Sequence, residues 1–217
     1  MHIHFGFVEI KQILISAVVL SVAFAIASFD GIFSIEVSRL LPLIVFSFIA
    51  VGVGFLAHEL IGHKIVAQRF GLFAEYRMWN FGLVIAILSS LAGFVFAAPG
   101  AVYISQKMDL WGKPVPVTKK RMGIVGLMGP VVNVAIAFIF FLSAYYAPAT
   151  LFELFFIGAG INAWLALFNM LPIPPLDGSK VLYWDRRIFA VSFIAIAAVF
   201  AFLVYLWPQL LIEQALL

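Results

Sequence analysis

Apolar residues gather into six long runs, separated by short polar or basic stretches. The runs are Ile13 to Phe29, Pro42 to about His63, Phe81 to Ile104, Met122 to Ala147, Leu151 to Leu171 and Ile188 to Ile212. A helix needs about 20 mostly apolar residues to cross a bilayer core, and all but one of these runs read as spanning helices. The run from Phe81 to Ile104 differs, because Gly82, Gly93, Pro99 and Gly100 punctuate it. Charge decides how it lies. If it crossed fully, the basic stretches on its two sides (Lys64, Arg69, Arg77; Lys107, Lys113, Lys119, Lys120, Arg121) would face opposite compartments, against the positive-inside bias. If it is re-entrant, then of the 13 Lys and Arg only Arg39 falls outside. Non-helical backbone is tolerated at membrane depth where it lines a cavity. The expectation is an all-α integral membrane protein: about five to six transmembrane helices, five by the charge argument, with one re-entrant or membrane-associated hairpin and the N-terminus inside.

Composition agrees with that class. Of 217 residues, 65% are hydrophobic and 11% charged, and mean hydropathy is +1.16. The length suits one polytopic domain, 1–217, with a core over 42–178. No cysteine is present, so neither a disulfide nor a thiolate metal site is open to the chain. The net charge of +3 sits in loops, where it sets topology and does not suggest nucleic acid. Ala25-Ile26-Ala27 resembles a signal-peptidase site, but the preceding charges are balanced by Glu9, so the first helix is expected to be retained. Trp79, Trp111, Trp184 and Trp207 lie near segment ends and read as interfacial anchors; Trp164 reads as packing.

The second run ends on His58-Glu59-Leu60-Ile61-Gly62-His63. Ionisable groups at such depth are costly and mark functional sites. H-E-x-x-H on a helix presents both histidines to a zinc ion and leaves the glutamate as general base. Here the second histidine comes one residue later. At about 100° per residue, positions i and i+5 lie roughly 140° apart, against roughly 40° for i and i+4. A π-bulge absorbs one extra residue, and Gly62 is a place for it. The spacing resembles that of dipeptidyl peptidase III, which implies zinc. The remaining histidines, His2 and His4, alternate with apolar residues and read as solvated or interfacial. The third protein ligand is therefore expected to be a carboxylate. Asp177 is best placed, after the proline-broken stretch from Pro172 to Pro175 and before Gly178, with Asp185 and Glu75 as alternatives. Two histidines and one carboxylate leave a fourth position for water, the pattern of a catalytic zinc.

These motifs together resemble the site-2 protease family of intramembrane zinc metalloproteases, in a minimal form without a PDZ domain. The resemblance runs from the second helix through Asp177. It rests on His58-Glu59…His63, on Gly129…Asn133, and most specifically on Asn169-Met170-Leu171-Pro172-Ile173-Pro174-Pro175-Leu176-Asp177-Gly178. It implies hydrolysis of peptide bonds in transmembrane protein substrates within the lipid bilayer, with one zinc per chain and a multi-pass location, the cell membrane, whose active site faces the cytoplasm. In this reading Glu59 is the catalytic base and His58, His63 and Asp177 hold the metal. Asn169, Asn133 and Pro172 fall at the substrate, and an interhelical hydrogen bond is the equal alternative for Asn133. Two other readings compete: a catalytically inactive relative that binds transmembrane partners, and a metal transporter. No internal repeat of the transporter kind is visible.

Overall fold

The long apolar runs become helices in the computed structural model of the chain, which describes residues 5–29, 35–108 and 111–207. Helix α1 is Phe7–Ala27 and α2 is Val37–Ala57. A π-helical segment, His58–Ile65, and the short α3, Val66–Arg69, continue α2 without a break. Strand β1 (Phe73–Met78), α4 (Asn80–Ser90) and β2 (Gly100–Ser105) follow, then α5 (Lys119–Tyr146), α6 (Ala149–Asn169), α7 (Asp177–Trp184) and α8 (Arg186–Ala201), which runs on into a π-turn at Phe202–Leu206. Among the described residues, 5 helices are long and apolar enough to cross a membrane: Phe7–Ala27, Val37–Arg69, Lys119–Tyr146, Thr150–Asn169 and Arg186–Leu206. His2, His4 and the stretch Pro208–Ile212 of the expected last helix lie outside the described residues.

The run from Phe81 to Ile104 is re-entrant. Its helix α4 has 11 residues and reaches about 16 Å, too short to cross. The chain turns at Gly93, whose φ of +82° suits glycine, and returns extended. Strands β1 and β2 then pair antiparallel, with Phe73 opposite Ser105 and Met78 opposite Gly100. The element thus enters and leaves side by side, and a sixth span is absent from the described residues. The hairpin brackets α4. Its first strand lies within Lys64–Asn80, which the sequence reading treated as a polar loop.

Lys64 itself is a second departure from that reading. It is buried, and its Nζ stands 2.6 Å from Glu9 Oε2, both side chains being 1% exposed. Glu9 Oε1 accepts from the Tyr76 backbone N–H at 2.9 Å, and Gln12 Oε1 accepts from that of Met78 at 3.1 Å. The Tyr76 hydroxyl donates to Ser16 Oγ at 2.8 Å. Helix α1 therefore covers the outer edge of β1 and supplies hydrogen-bond acceptors that β1 lacks on that side. The helix with the signal-like Ala25-Ile26-Ala27 is packed into the bundle, with Ala25 fully buried.

Lipid offers helices little hydrophobic drive to associate, so close contact through small residues and polar pairs does much of the holding. Gly62 lies against Gly129, where an added Cβ would come within 2.6 Å of the Gly129 Cα. Gly54 makes room for Asn162, while Gly52 faces open space and does not serve helix approach. The main core joins α1, α2, the sheet and α6 through Leu20, Val51, Phe55, Tyr76 and Leu165. Trp207 is 5% exposed and packs against Phe141 at a ring distance of 4.6 Å, so it is a packing residue and not an interfacial anchor. Trp164 does more than pack: its Nε1 donates to the Val95 carbonyl at 3.0 Å and fixes the returning limb of the re-entrant element.

Breaking a buried ion pair at one end leaves a charge without its partner, at a cost of about 3–5 kcal/mol. Lys64→Met should therefore lower the thermal midpoint of the detergent-solubilised protein sharply. Glu9→Met combined with Lys64→Met should melt above either single variant. A double variant that melts lower than both would show that the pair does not carry this stability.

Candidate metal centre

The one-residue insertion in the histidine motif is absorbed by the π-helical segment. Its i→i+5 hydrogen bonds widen the turn, and His58 and His63 come onto one face. Their rings meet edge to face at 89°, with centroids 4.6 Å apart. The two Nε2 atoms are 3.0 Å apart. The third group arrives from a distant segment. The Pro172–Pro175 stretch breaks the chain after α6, and Asp177 begins α7. Gly178 permits the close return, since a Cβ there would fall 2.1 Å from the Met170 carbonyl oxygen. Asp177 Oδ2 then lies 3.2 Å from His58 Nε2 and 3.0 Å from His63 Nε2. His58, His63 and Asp177 are each 3% exposed.

The hydrogen bonds behind the rings decide what this triangle is for. His63 Nδ1 lies 2.8 Å from the Val125 carbonyl oxygen, and His58 Nδ1 faces Asn133 Oδ1. Both partners only accept, so both Nδ1 atoms carry hydrogen, and a neutral ring then has a bare Nε2. Two bare nitrogens and a carboxylate oxygen converge with no donor between them. Such a set repels itself unless a cation sits at its centre. Ligand atoms around a tetrahedral zinc with bonds of about 2.0–2.1 Å stand roughly 3.3 Å apart, close to the 3.0–3.2 Å found here. The residues therefore fit zinc, and they are the group of metal-capable side chains found among the described residues.

Two curated proteins are similar to the chain. Over 150 residues it is 44% identical to "Putative zinc metalloprotease MJ0611" of Methanocaldococcus jannaschii, a match spanning 68% of this chain and 74% of that protein. Over 161 residues it is 34% identical to the similarly named YwhC of Bacillus subtilis, spanning 66% of this chain and 68% of that protein. The chain belongs to this zinc metalloprotease family. No protein-family model and no solved structure matches it.

Beside the metal triangle stands Glu59, 5% exposed, whose Oε2 has no hydrogen-bond partner among the described residues. Two small cavities adjoin the site, and His58, Glu59, Gly100 and Asn169 line both. Asn169 donates one amide hydrogen to the Leu165 carbonyl at 2.9 Å and otherwise faces these cavities. The structure separates the other two residues expected at the substrate. Pro172 is exposed and lines neither cavity, a place taken by Pro175. Asn133 lines one of the two cavities, but it is fully buried and spends both ends of its amide inside the protein, on His58, Gly54 and Asn162. That is the interhelical alternative, for a plain reason: no donor is left for a substrate carbonyl.

The alternative carboxylates are occupied elsewhere. Asp185 caps α8 by accepting from the N–H groups of Arg187 and Ile188, and Glu75 pairs with Arg77 at 3.0 Å. Asp177 Oδ1 accepts from Lys180 Nζ at 2.8 Å, which leaves Oδ2 for the histidines. Burial works against the Asp177 charge, but the neighbouring His63 and the Lys180 ammonium hold its carboxyl well below the usual carboxylate range. A metal cation in the triangle would act in the same direction. Sequence reasoning counted Lys180 only as a topology charge, and it passed over Asn162, whose signal was an amide inside an apolar run.

Gly129 completes the wall behind the rings. A Cβ there would lie 2.5 Å from His63 Cε1 and 2.7 Å from His58 Nε2. The imidazoles have no room to retreat while Val125 and Asn133 hold their Nδ1 atoms. Gly129→Ala should therefore strip zinc from protein that still folds, measured as metal per chain after gel filtration. Undiminished zinc in that variant would remove Gly129 from the site.

Proposed function

We propose that this chain is a zinc-dependent intramembrane endopeptidase of the site-2 protease type, hydrolysing peptide bonds within or near transmembrane helices of membrane protein substrates. The observation that carries the reading is the unpaired Glu59 Oε2 beside three buried metal-binding atoms, on a helix long and apolar enough to span. A carboxylate oxygen buried without a partner costs stability. It is retained where it has a proton to take.

Bound zinc would supply a Lewis acid and a lowered pKa for coordinated water. The chain's own residues do the rest. Glu59 removes a proton from the attacking water as that oxygen bonds the scissile carbonyl carbon, and returns the proton to the departing amine as the C–N bond breaks. Asn169, which lines both small cavities, donates to the substrate backbone or to the oxygen that gains charge. Asp177, held by Lys180 on its other oxygen, stays in place as a ligand. The open edge of β2 supports a site for an unwound substrate. Strand β2 pairs only with β1 in its sheet, and Gly100 and Ala101 at its start line the metal cavity. An extended peptide added there would hydrogen-bond main chain to main chain. The basic residues shared by the loops around this end argue for a cytoplasmic site.

Purified wild type should hold about one zinc per chain and cut a helical substrate in liposomes. Glu59→Gln should keep the zinc and lose about 10²–10⁴-fold in rate, while His63→Ala should lose the metal. A well-folded wild type without zinc, or Glu59→Gln cutting at full rate, would overturn the reading. Proline placed at successive positions from Ala101 to Ile104 should reduce cleavage with zinc still bound; unchanged cleavage at every position would remove β2 from substrate binding.

A further inference from the structure

We infer that Asn162, acting through Asn133, is a positioning residue that fixes His58 as a metal ligand. The inference rests on the reading of His58 as a zinc ligand. It starts from an ambiguity built into any asparagine. Its oxygen and nitrogen ends are near-equal in shape, so the amide can present either to a neighbour. With Oδ1 toward His58 Nδ1, Asn133 keeps the ring proton on Nδ1 and leaves Nε2 bare for a metal. Turned over, it would present N–H to Nδ1, drive the proton to Nε2 and block coordination.

Asn162 decides between the two. Asn133 Nδ2 donates to Asn162 Oδ1 at 3.0 Å and to the Gly54 carbonyl at 3.2 Å. A turned Asn133 would face two acceptors with an acceptor. Asn162 is itself pinned, because its Nδ2 donates to the Gly158 carbonyl at 2.9 Å and the Ala50 carbonyl at 3.4 Å. Backbone carbonyls cannot reverse, so the direction of every bond from α2 and α6 to the imidazole is set. Both asparagines are 0% exposed. Gly54 leaves the space, since a Cβ there would come within 2.0 Å of Asn162 Oδ1. Two amides in spanning helices are costly unless matched, and here each hydrogen has an acceptor that also reads out the packing of α2, α5 and α6.

Outer hydrogen bonds of this kind are worth about 10–100-fold in metal affinity. The test is chelator competition for zinc in the full chain, purified in detergent, with folding checked by melting of the metal-free protein. Asn162→Leu should weaken zinc binding about tenfold, the low end of that range. In an Asn133→Leu background the same change should cost nothing further, because its route to His58 is gone. In an Asn133→Asp background it should cost no zinc affinity, since a carboxylate accepts from His58 in either orientation and loses only an unfavourable facing oxygen when Asn162 goes; this arm serves if the leucine background does not fold. A merely structural Asn162 would cost the same factor in every background. That equality, or unchanged zinc affinity in Asn162→Leu, would overturn the relay. A wild type that binds no zinc would instead overturn the ligand reading beneath it.

Discussion

Two imidazole nitrogens and a carboxylate oxygen, each buried and each stripped of hydrogen, meet within 3.2 Å of one another. Among the described residues no hydrogen-bond donor stands between those three atoms, since Lys180 reaches only the other oxygen of Asp177, and much of the local architecture holds them together. The π-helical turn brings in His63, the proline-broken stretch delivers Asp177, and Lys180 occupies the one carboxylate oxygen that points away. A structural role alone would not require it, because apolar residues of similar volume would pack at less cost. The arrangement is intelligible as a site whose stability is completed by a bound cation, so metal binding and helix packing should be reciprocally coupled.

One face of α5 forms the wall of that site. Val125, Gly129 and Asn133 recur every four residues, the spacing that stacks positions along one helix face. The first offers a carbonyl to His63, the second offers empty space and the third offers an amide oxygen to His58. The π-helical segment can lie this close because Gly62 meets Gly129 without side chains on either backbone. The extra residue in the histidine motif is thus accommodated by a wide turn that fits only against a helix with a glycine at its centre.

How much of this was legible depended on whether the signal was chemical or geometric. His58, Glu59, His63 and Asp177 stand out because ionisable groups are rare in apolar runs and in proline-broken turns at their ends. The re-entrant element was legible from glycine spacing and loop charge. Its strand pairing was not, since β1 lies in a stretch whose polar residues mimic a loop. Glu9 and Lys64 were misread because positive-inside counting treats every lysine as solvated, and 55 residues separate the pair. The Val125 carbonyl carries no side-chain signal at all. Asn133 was visible but ambiguous, because an intramembrane amide serves a substrate and a neighbouring helix equally well until its partners are known.

The placement of the hairpin follows from what a membrane forbids. An unpaired strand edge is not tolerated in lipid. The outer edge of β1 is closed by side chains of α1, from Glu9 and Gln12. The start of β2 lies instead on the metal cavity, against His58, Glu59 and Asp177. Cover for β1 comes from α1, while the start of β2 borders a cavity and not hydrocarbon. A helix that must unwind to expose its carbonyls has the matching problem, with backbone groups and no partners. Under the proposed function, the edge of β2 and an unwound substrate would each satisfy the other, beside the unpaired oxygen of Glu59.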